Sequence, residues 1–172
     1  MSMVYALVHY PAIDTRHIDA LRRKYDPQVD LISPHITLLF PVPDSIGESS
    51  LVSHLEHVLS HSPSFPIHLR GLEQSADHYL FLVLQEGRPE AVDLHDRIYT
   101  GMLAPFLRTD LPYSPHITLG SFGDAELCSQ ALREAERNTL DFECLLDRVH
   151  LVKIKDDRSR ISWSKEFRLP AW

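Results

Sequence analysis

Short apolar runs alternate with amphipathic stretches along this chain, and their spacing predicts its secondary structure. Runs rich in β-branched and aromatic residues predict strands, whereas apolar positions three to four residues apart predict helices. The predicted strands cover residues 4–10, 35–40, 65–72, 78–85, 113–119, 145–155 and 161–169. The predicted helices cover about 14–24, 48–60, 89–106 and 124–138.

The order strand, helix, strand, helix, hairpin occurs approximately twice along the chain. No flexible linker or low-complexity segment separates the two occurrences. A length of 172 residues suits one compact domain or two small lobes that share a cleft. We therefore expect residues 1–172 to form a single domain made of two pseudo-symmetric lobes.

One hexapeptide occurs twice. Ser33-Pro34-His35-Ile36-Thr37-Leu38 recurs unchanged, 81 positions later, as Ser114-Pro115-His116-Ile117-Thr118-Leu119. In an unrelated chain of this size such a repeat has a chance on the order of one in a thousand, so it indicates internal duplication. A duplicated strand needs apolar or β-branched residues on its core face, but nothing in strand formation requires an imidazole. The two retained histidines therefore point to chemistry.

Strand geometry divides each copy of the hexapeptide into two faces. Alternate side chains project to opposite sides of a strand. His35 and Thr37 therefore share one face, while Ile36 and Leu38 share the other. The second copy divides in the same way. If the lobes pack about a pseudo-two-fold axis, the two His/Thr faces can meet across one cleft.

Two imidazoles and two hydroxyls suit phosphodiester chemistry without a metal. Displacement at phosphorus needs a base for the nucleophile and an acid for the departing oxygen. An imidazole with a pKa of about 6.5 can serve as either near neutral pH, and each proton transfer contributes about 10²–10⁴ in rate. The Thr hydroxyls can donate to the non-bridging phosphoryl oxygens.

The paired His-x-Thr-Leu elements, one in each half, resemble the signature of the two-histidine (2H) phosphoesterase superfamily, which includes 2′-5′ RNA ligase-like proteins and 2′,3′-cyclic phosphodiesterases. The resemblance extends over nearly the whole chain. It implies an α+β, bilobal fold with two mainly antiparallel sheets and outer helices around a central cleft. It also implies that His35 and His116 are the catalytic acid–base pair, that Thr37 and Thr118 bind the phosphate, and that no cofactor or metal takes part.

By this resemblance we expect an enzyme, a cyclic phosphodiesterase. Its substrate would be a cyclic nucleotide or, in RNA processing, the cyclic phosphate at an RNA end. His116 would activate water and His35 would protonate the leaving oxygen, although the near identity of the two copies leaves the reverse assignment open. Three alternatives remain: 2′-5′ RNA ligase-type activity, a non-catalytic nucleotide or RNA-end binding module, and a purely structural duplication with the histidines buried apart. The physiological substrate and its regiochemistry also stay open.

The chain departs from the family pattern after the second motif. Many RNA ligase-like members carry an Arg there, whereas this chain continues Leu119-Gly120-Ser121-Phe122, so the group that neutralises the phosphate is left open. Phe122 has the strand parity of His116 and is a candidate for stacking a base. Tyr5 and His9 share a face of the first predicted strand and are further candidates for substrate contact, with ordinary packing as the alternative.

Three more histidines, His54, His57 and His61, lie on the predicted helix over about 48–60 or directly after it. The last two have the i, i+4 spacing of a metal pair. No acidic residue completes a His-Glu-x-x-His pattern. We therefore favour a solvated helix face over a zinc site.

The composition argues against three classes of protein: those that coat nucleic acid, those held by disulfides and those that span a membrane. A net charge of −7 and a pI near 5.8 argue against coating of nucleic acid, because such binding uses many phosphate contacts to Lys and Arg. Cys128 and Cys144 provide no disulfide framework, and there is neither a signal-peptide pattern nor an apolar run of about 20 residues. We expect a cytoplasmic monomer with no membrane contact and no stable protein partner.

Overall fold

The computed structural model describes residues 2–172. Its strands are β1 (Met3–His9), β2 (Ile36–Pro43), β3 (Phe65–Gln74), β4 (Tyr79–Leu84), β5 (His116–Ser121), β6 (Asp141–Leu146), β7 (Arg148–Lys155) and β8 (Ile161–Arg168). Its α-helices are α1 (Arg16–Tyr25), α2 (Glu48–Ser60), α3 (Arg88–Ile98) and α4 (Ala125–Glu136), and short 3-10 turns occupy Asp44–Ile46 and Gly101–Phe106. Within the described chain, no helix is long and apolar enough to cross a bilayer.

The strands form one antiparallel sheet in the order β6-β3-β4-β5-β2-β1-β7-β8. The two strands that carry the repeat, β2 and β5, lie side by side at its centre, where Ile36 pairs with Ile117. The α+β class is confirmed. The two sheets implied by the resemblance are the halves of this single sheet: a first half-sheet, β2-β1-β7-β8, and a second half-sheet, β5-β4-β3-β6.

The sheet is strongly curled. β6 lies at one edge and β7 lies next to the other edge, yet only Asp147 separates them along the chain. Consecutive Cα atoms are about 3.8 Å apart, so the two halves must come together at this point. The carbonyl oxygen of Asp147 also accepts a 2.8 Å hydrogen bond from the N–H of Leu169, which follows β8.

The helices cover one face of the sheet and enclose the main core with it. Alternate residues of the two repeat strands contribute to this core and are fully buried: Ile36, Leu38, Ile117 and Leu119. α1 connects β1 to β2 but packs against β5, whereas α3 connects β4 to β5 but packs against β2. α1 and α3 therefore each support the repeat strand of the opposite half-sheet.

Two predicted elements are divided in the structure. The helix predicted over 89–106 ends as α3 at Ile98, and Gly101 interrupts it with a positive φ of 53°. The rest of the predicted helix is the 3-10 turn Gly101–Phe106, which contains Pro105. The strand predicted over 145–155 is the end of β6 followed by β7, interrupted at Asp147. These two strands pair with different neighbours, β3 and β1, which residue alternation alone does not show.

Candidate active site

The four repeat residues proposed from the sequence lie on one face at the centre of the sheet: His35, Thr37, His116 and Thr118. The antiparallel pairing of Ile36 with Ile117 sets the register here. Continued by one residue in each direction, it sets His35 opposite Thr118 and Thr37 opposite His116. All four are half-buried, and they face away from the helix-covered core. We call the side of the sheet from which they project the motif face.

The two imidazoles are oriented in the same way. Nδ1 of His35 donates a 2.8 Å hydrogen bond to the carbonyl oxygen of Ser33. Nδ1 of His116 donates one of 2.7 Å to the carbonyl oxygen of Ser114. Because a carbonyl oxygen can only accept, each neutral ring carries its proton on Nδ1 and keeps a lone pair on Nε2.

Burial lowers the pKa of both imidazoles. It brings the pKa of His116 to about 4, opposed by the hydrogen bond to Ser114 and assisted by the nearby charge of His35. Burial also lowers the pKa of His35, again opposed by a backbone hydrogen bond, that to Ser33. In the free protein both rings are therefore neutral at pH 7, and they lie near enough for the charge of one to act on the other.

Two aromatic residues that the sequence reasoning missed lie beside the histidines. Phe81 on β4 stacks on His116, with ring centroids 3.6 Å apart and planes inclined at 25°. Tyr10, directly after β1, lies edge-on to His35 at 6.4 Å between centroids. Their aromatic character was visible in the sequence, but the strands that flank β2 and β5 were not.

Two of the other proposed substrate contacts, Tyr5 and His9, are not on the motif face. His9 pairs with Ile36 and so projects to the helix-covered side, which Tyr5 shares. Both side chains are only 1 % exposed, and the Tyr5 hydroxyl donates a 2.7 Å hydrogen bond to Glu48 at the start of α2. The expectation that they contact substrate is therefore wrong, because the core encloses them.

Phe122 also differs from its expected position. The β4–β5 register shifts by one residue between the pairs Leu80–Gly120 and Phe81–Thr118, so strand parity is not maintained to the end of β5. The Phe122 ring packs against the main core and against Tyr25 of α1, with ring centroids 5.3 Å apart. The structure does not bring it to His116.

A buried arginine holds the segment that leads into His35. Arg22 on α1 is 1 % exposed, pairs with Asp26 at 2.8 Å, and donates to the carbonyl oxygen of Ile32 at 2.7 Å. Ile32 belongs to a small second core on the motif face of the first half-sheet, with Ala6, Val8, Val152 and Ile154. This anchoring fixes the chain just before the Ser33 carbonyl that orients His35.

His54 and His57 of α2, and His61 at its C-terminal end, lie apart from these residues. His54 donates from Nε2 to the carbonyl oxygen of Ile98 at 2.9 Å, and the exposed rings of His57 and His61 are 5.1 Å apart. Among residues 2–172, no group of three or more His, Cys, Asp or Glu side chains is positioned to hold a metal ion.

Known proteins with similar sequences include several whose names describe them as candidate phosphoesterases. One from Bacillus licheniformis is 26% identical over 160 residues, which cover 91% of this chain and 94% of the relative. Another from Geobacillus thermodenitrificans is 24% identical over 153 residues, 87% of each chain.

Solved structures share the fold. A crystal structure of a phosphoesterase superposes with a TM-score of 0.63 at 16% identity, covering 98% of both chains. Escherichia coli LigT in its apo form gives a TM-score of 0.61 at 15% identity, covering 98% of this chain and 97% of LigT. LigT has also been crystallised with NADP⁺, with phosphate and with 3′-AMP.

A family comparison covers both repeat strands. The model of the 2′-5′ RNA ligase superfamily matches residues 10–158, and thus includes both hexapeptides and most of the chain between and around them. With the paired histidines at the starts of two adjacent central strands, this match shows that the chain belongs to the 2′-5′ RNA ligase superfamily, a group of two-histidine phosphoesterases.

Proposed function

We propose that this protein is a metal-independent phosphodiesterase that opens 2′,3′-cyclic nucleotide phosphates, either free or at an RNA end. The observation that carries the proposal is the matched pair of imidazoles. His35 directly precedes β2 and His116 begins the adjacent β5, and each is held through Nδ1 so that Nε2 is left free. Two free Nε2 atoms on one face supply the two proton transfers that the reaction needs.

The reaction balances with these two side chains. Neutral His116 accepts a proton at Nε2 from water as the water oxygen bonds to phosphorus. Protonated His35 donates its Nε2 proton to the ribose oxygen as the bond from that oxygen to phosphorus breaks. The products are a phosphomonoester and a free hydroxyl, and the two histidines have exchanged protonation states.

We assign the base to His116 because its surroundings disfavour the charged form. Burial holds its pKa at about 4, and the stacked Phe81 ring covers one side of the imidazole. A ring that stays neutral is ready to accept a proton. His35 would then be the acid, protonated once the phosphate is bound.

The charge of the phosphate can be met without the arginine that is missing after the second motif. One of the two imidazoles is a cation in the reactive state. Thr37 and Thr118 are half-buried on the motif face and can donate their hydroxyl protons to the non-bridging oxygens. The four repeat residues therefore provide both the proton transfers and the stabilisation of charge.

Ligation is a second candidate activity of the same site, favoured by the match to the 2′-5′ RNA ligase superfamily. Joining a cyclic phosphate to a hydroxyl uses the same two proton transfers: the base accepts the proton of an attacking RNA hydroxyl in place of water, and the acid protonates the departing ribose oxygen. The LigT complexes with phosphate and 3′-AMP support a ligand of this chemical class. Incubation of RNA ends bearing a cyclic phosphate and a 5′-hydroxyl would reveal a joined product.

The direct test is hydrolysis of 2′,3′-cyclic nucleotides in excess chelator. We expect His35→Ala and His116→Ala each to lower kcat by about 10²–10⁴. His57→Ala, which removes an exposed imidazole from α2, is the matched control and should retain wild-type activity. Equal activity in all four proteins would refute the assignment of the site.

The non-catalytic alternative makes a different prediction. A binding module would bind nucleotide tightly, release no product, and keep its affinity in both motif His→Ala variants. Calorimetric titration with 3′-AMP, run beside the hydrolysis assay, distinguishes that result from catalysis. Separation of 2′- and 3′-monophosphate products identifies which P–O bond breaks.

A further inference from the structure

We propose that Phe81 is a positioning residue for His116: its ring fixes the plane of the imidazole so that Nε2 addresses a ligand on the motif face. This inference rests on the proposed function for its consequence in catalysis. Its structural content, the control of one histidine ring by one phenyl ring, can be tested without substrate.

The contact between the two rings is unusually close. Their centroids are 3.6 Å apart and their planes differ by 25°, whereas aromatic pairs in proteins commonly have centroids about 4.5–7 Å apart. The hydrogen bond from Nδ1 to Ser114 directs one edge of the imidazole. It still permits the ring to tilt about that bond, and the face of Phe81 restricts this tilt.

The other half-sheet has no such ring at the corresponding position. Phe81 is the register partner of Thr118, and Val8 is the register partner of Thr37. Two identical hexapeptides are therefore placed in different surroundings. His116 is stacked on a phenyl ring, whereas His35 meets the edge of Tyr10 at 6.4 Å. This difference breaks the symmetry of the repeat and gives the two histidines separate tasks.

Phe81 is itself supported by a second ring. Tyr79 lies two residues earlier on β4, and its ring is nearly parallel to Phe81, at 21° with centroids 5.9 Å apart. Tyr79 is 38% exposed, so it forms the outer end of a row that leads inward to His116. The row explains how a half-buried Phe81 keeps a defined orientation.

Few titratable groups face His116 from the elements around it. His35, directly before β2, projects on the motif face. On β3, Glu73 is the register partner of Phe81 and is exposed on the far side of that ring. On β4, the register partner of His116 is the apolar Val83. On α3, the Arg88 guanidinium donates a 3.2 Å hydrogen bond to Oγ of Ser114, the residue whose carbonyl oxygen orients His116. A change in the pKa of His116 after substitution of Phe81 is therefore to be distinguished from the effects of three groups: His35, Glu73 and Arg88.

The test compares substitutions that separate the aromatic face from its volume. Phe81→Leu keeps an apolar side chain but removes the planar face, and Phe81→Met is a second variant of this kind. Phe81→Tyr keeps the face. Val8→Ala removes apolar atoms at the matched position of the first half-sheet and controls for general loosening of the sheet. Thermal unfolding identifies the variants that remain folded.

The first readout is NMR of the His116 imidazole without substrate. The ring ¹⁵N shifts report which nitrogen carries the proton, and a pH titration gives its pKa. We expect Phe81→Leu to weaken the preference for the Nδ1–H form and to raise the pKa towards about 6.5, the value for an unperturbed imidazole. Phe81→Tyr and Val8→Ala should leave both properties of His116 as in the wild type.

The second readout is the hydrolysis of a cyclic nucleotide. We expect Phe81→Leu to lower kcat by about 10- to 100-fold, because a small misplacement of a catalytic group is costly, while KM changes little. Phe81→Tyr, which keeps the aromatic face, should retain the wild-type kcat. Wild-type tautomer, pKa and kcat in folded Phe81→Leu would overturn the proposal, as would equal losses in Phe81→Leu and Phe81→Tyr.

The two readouts also separate this inference from the proposed function. If the wild type hydrolyses no cyclic phosphate, the proposed function fails, and the NMR comparison still decides whether Phe81 orients His116. If hydrolysis occurs and depends on both histidines, unchanged spectra in Phe81→Leu refute only the role of Phe81.

Discussion

The hydroxyl of Tyr113 donates a 2.8 Å hydrogen bond to the backbone carbonyl oxygen of Thr37. Tyr113 directly precedes the second hexapeptide, whereas Thr37 lies within the first. The bond therefore links the two repeat strands close to where Ile36 pairs with Ile117. The Tyr113 ring is in turn stacked on His95 of α3, at 3.9 Å between centroids and 4° between planes. A helix, a tyrosine and a backbone carbonyl together align the two half-sheets.

Tyr113→Phe should reduce activity more than it reduces stability. Loss of one buried hydrogen bond costs about 0.5–1.5 kcal/mol of unfolding free energy. Misalignment of the two histidines acts on the reaction barrier, so we expect kcat for a cyclic nucleotide to fall about tenfold or more. Urea denaturation and steady-state kinetics measure the two effects.

Tyr99→Phe is the matched control for this prediction. The Tyr99 hydroxyl accepts a 2.9 Å hydrogen bond from the N–H of Phe40, also on β2 but further from the four repeat residues. We expect a similar loss of stability with kcat near that of the wild type. A similar loss of kcat in both variants would count against a specific role for the Tyr113–Thr37 bond.

The pH dependence of kcat/KM should reach its maximum on the acid side of neutrality. His116 must be neutral to act as base, and its pKa in the free protein is about 4. His35 must be protonated to act as acid, and burial lowers its pKa below the usual value. Activity should therefore rise as pH increases through about 4 and fall before about 6.5. The pKa values obtained from the rising and falling limbs of this profile belong to the pair of histidines and not to either ring alone, because the two rings interact.

The profile of kcat alone should lie at higher pH than that of kcat/KM. A bound phosphodiester is an anion and favours the imidazolium form, which raises both pKa values in the complex. Loss of the folded state also limits activity at low pH. Between pH of about 4 and 6.5 the unfolded chain binds more protons at His116 than the folded chain does, so the free energy of unfolding decreases as pH falls through this range. Circular dichroism at each pH separates the two effects. A kcat/KM maximum above pH 7 would refute the assignment.

The face shared by the four repeat residues could be predicted because it depends on local geometry. Alternation within a six-residue strand determines that His35 and Thr37 point together. It does not determine which side of the sheet the helices cover. For that reason Tyr5 and His9, which also alternate, were wrongly expected at the site although they lie in the core.

Contacts between segments that are far apart along the chain could not be predicted from the sequence. Phe81 lies beside His116 only because β4 adjoins β5, and the bulge between these strands alters the parity that Phe122 was expected to follow. The break at Asp147 follows from closure of the curled sheet rather than from residue pattern. Each case depends on which strands become neighbours, and chain folding as a whole decides that.

Gly120→Ala should destabilise the contact between α1 and β5. A Cβ atom at this position would lie 2.6 Å from Cβ of Tyr25 and 3.1 Å from its carbonyl oxygen, so the helix would have to shift. Overpacking of this kind costs about 1–3 kcal/mol. Gly123→Ala is the control, because an added Cβ meets no atom within 4 Å there. Equal unfolding free energies for the two variants would contradict the close approach of α1.

Arg22→Met should be strongly destabilising. The variant leaves Asp26 as a charge with 9% side-chain exposure and no cation, and breaking a buried ion pair in this way costs about 3–5 kcal/mol. Adding Asp26→Asn should recover part of the loss, since the neutral side chain keeps an acceptor for the N–H of Gln28. Arg16→Met, which breaks the exposed pair with Asp14, should leave the urea midpoint unchanged.

The same substitution should also alter the titration of His35. The Arg22 guanidinium contributes to lowering the His35 pKa, while Asp26 acts in the opposite direction. Removing the cation alone should therefore raise the pKa of His35 and move the alkaline limb of kcat/KM to higher pH. The double variant, in which both charges are gone, should show a smaller displacement. An alkaline limb that stays in place in folded Arg22→Met would show that the ion pair acts on the segment before β2 through packing alone.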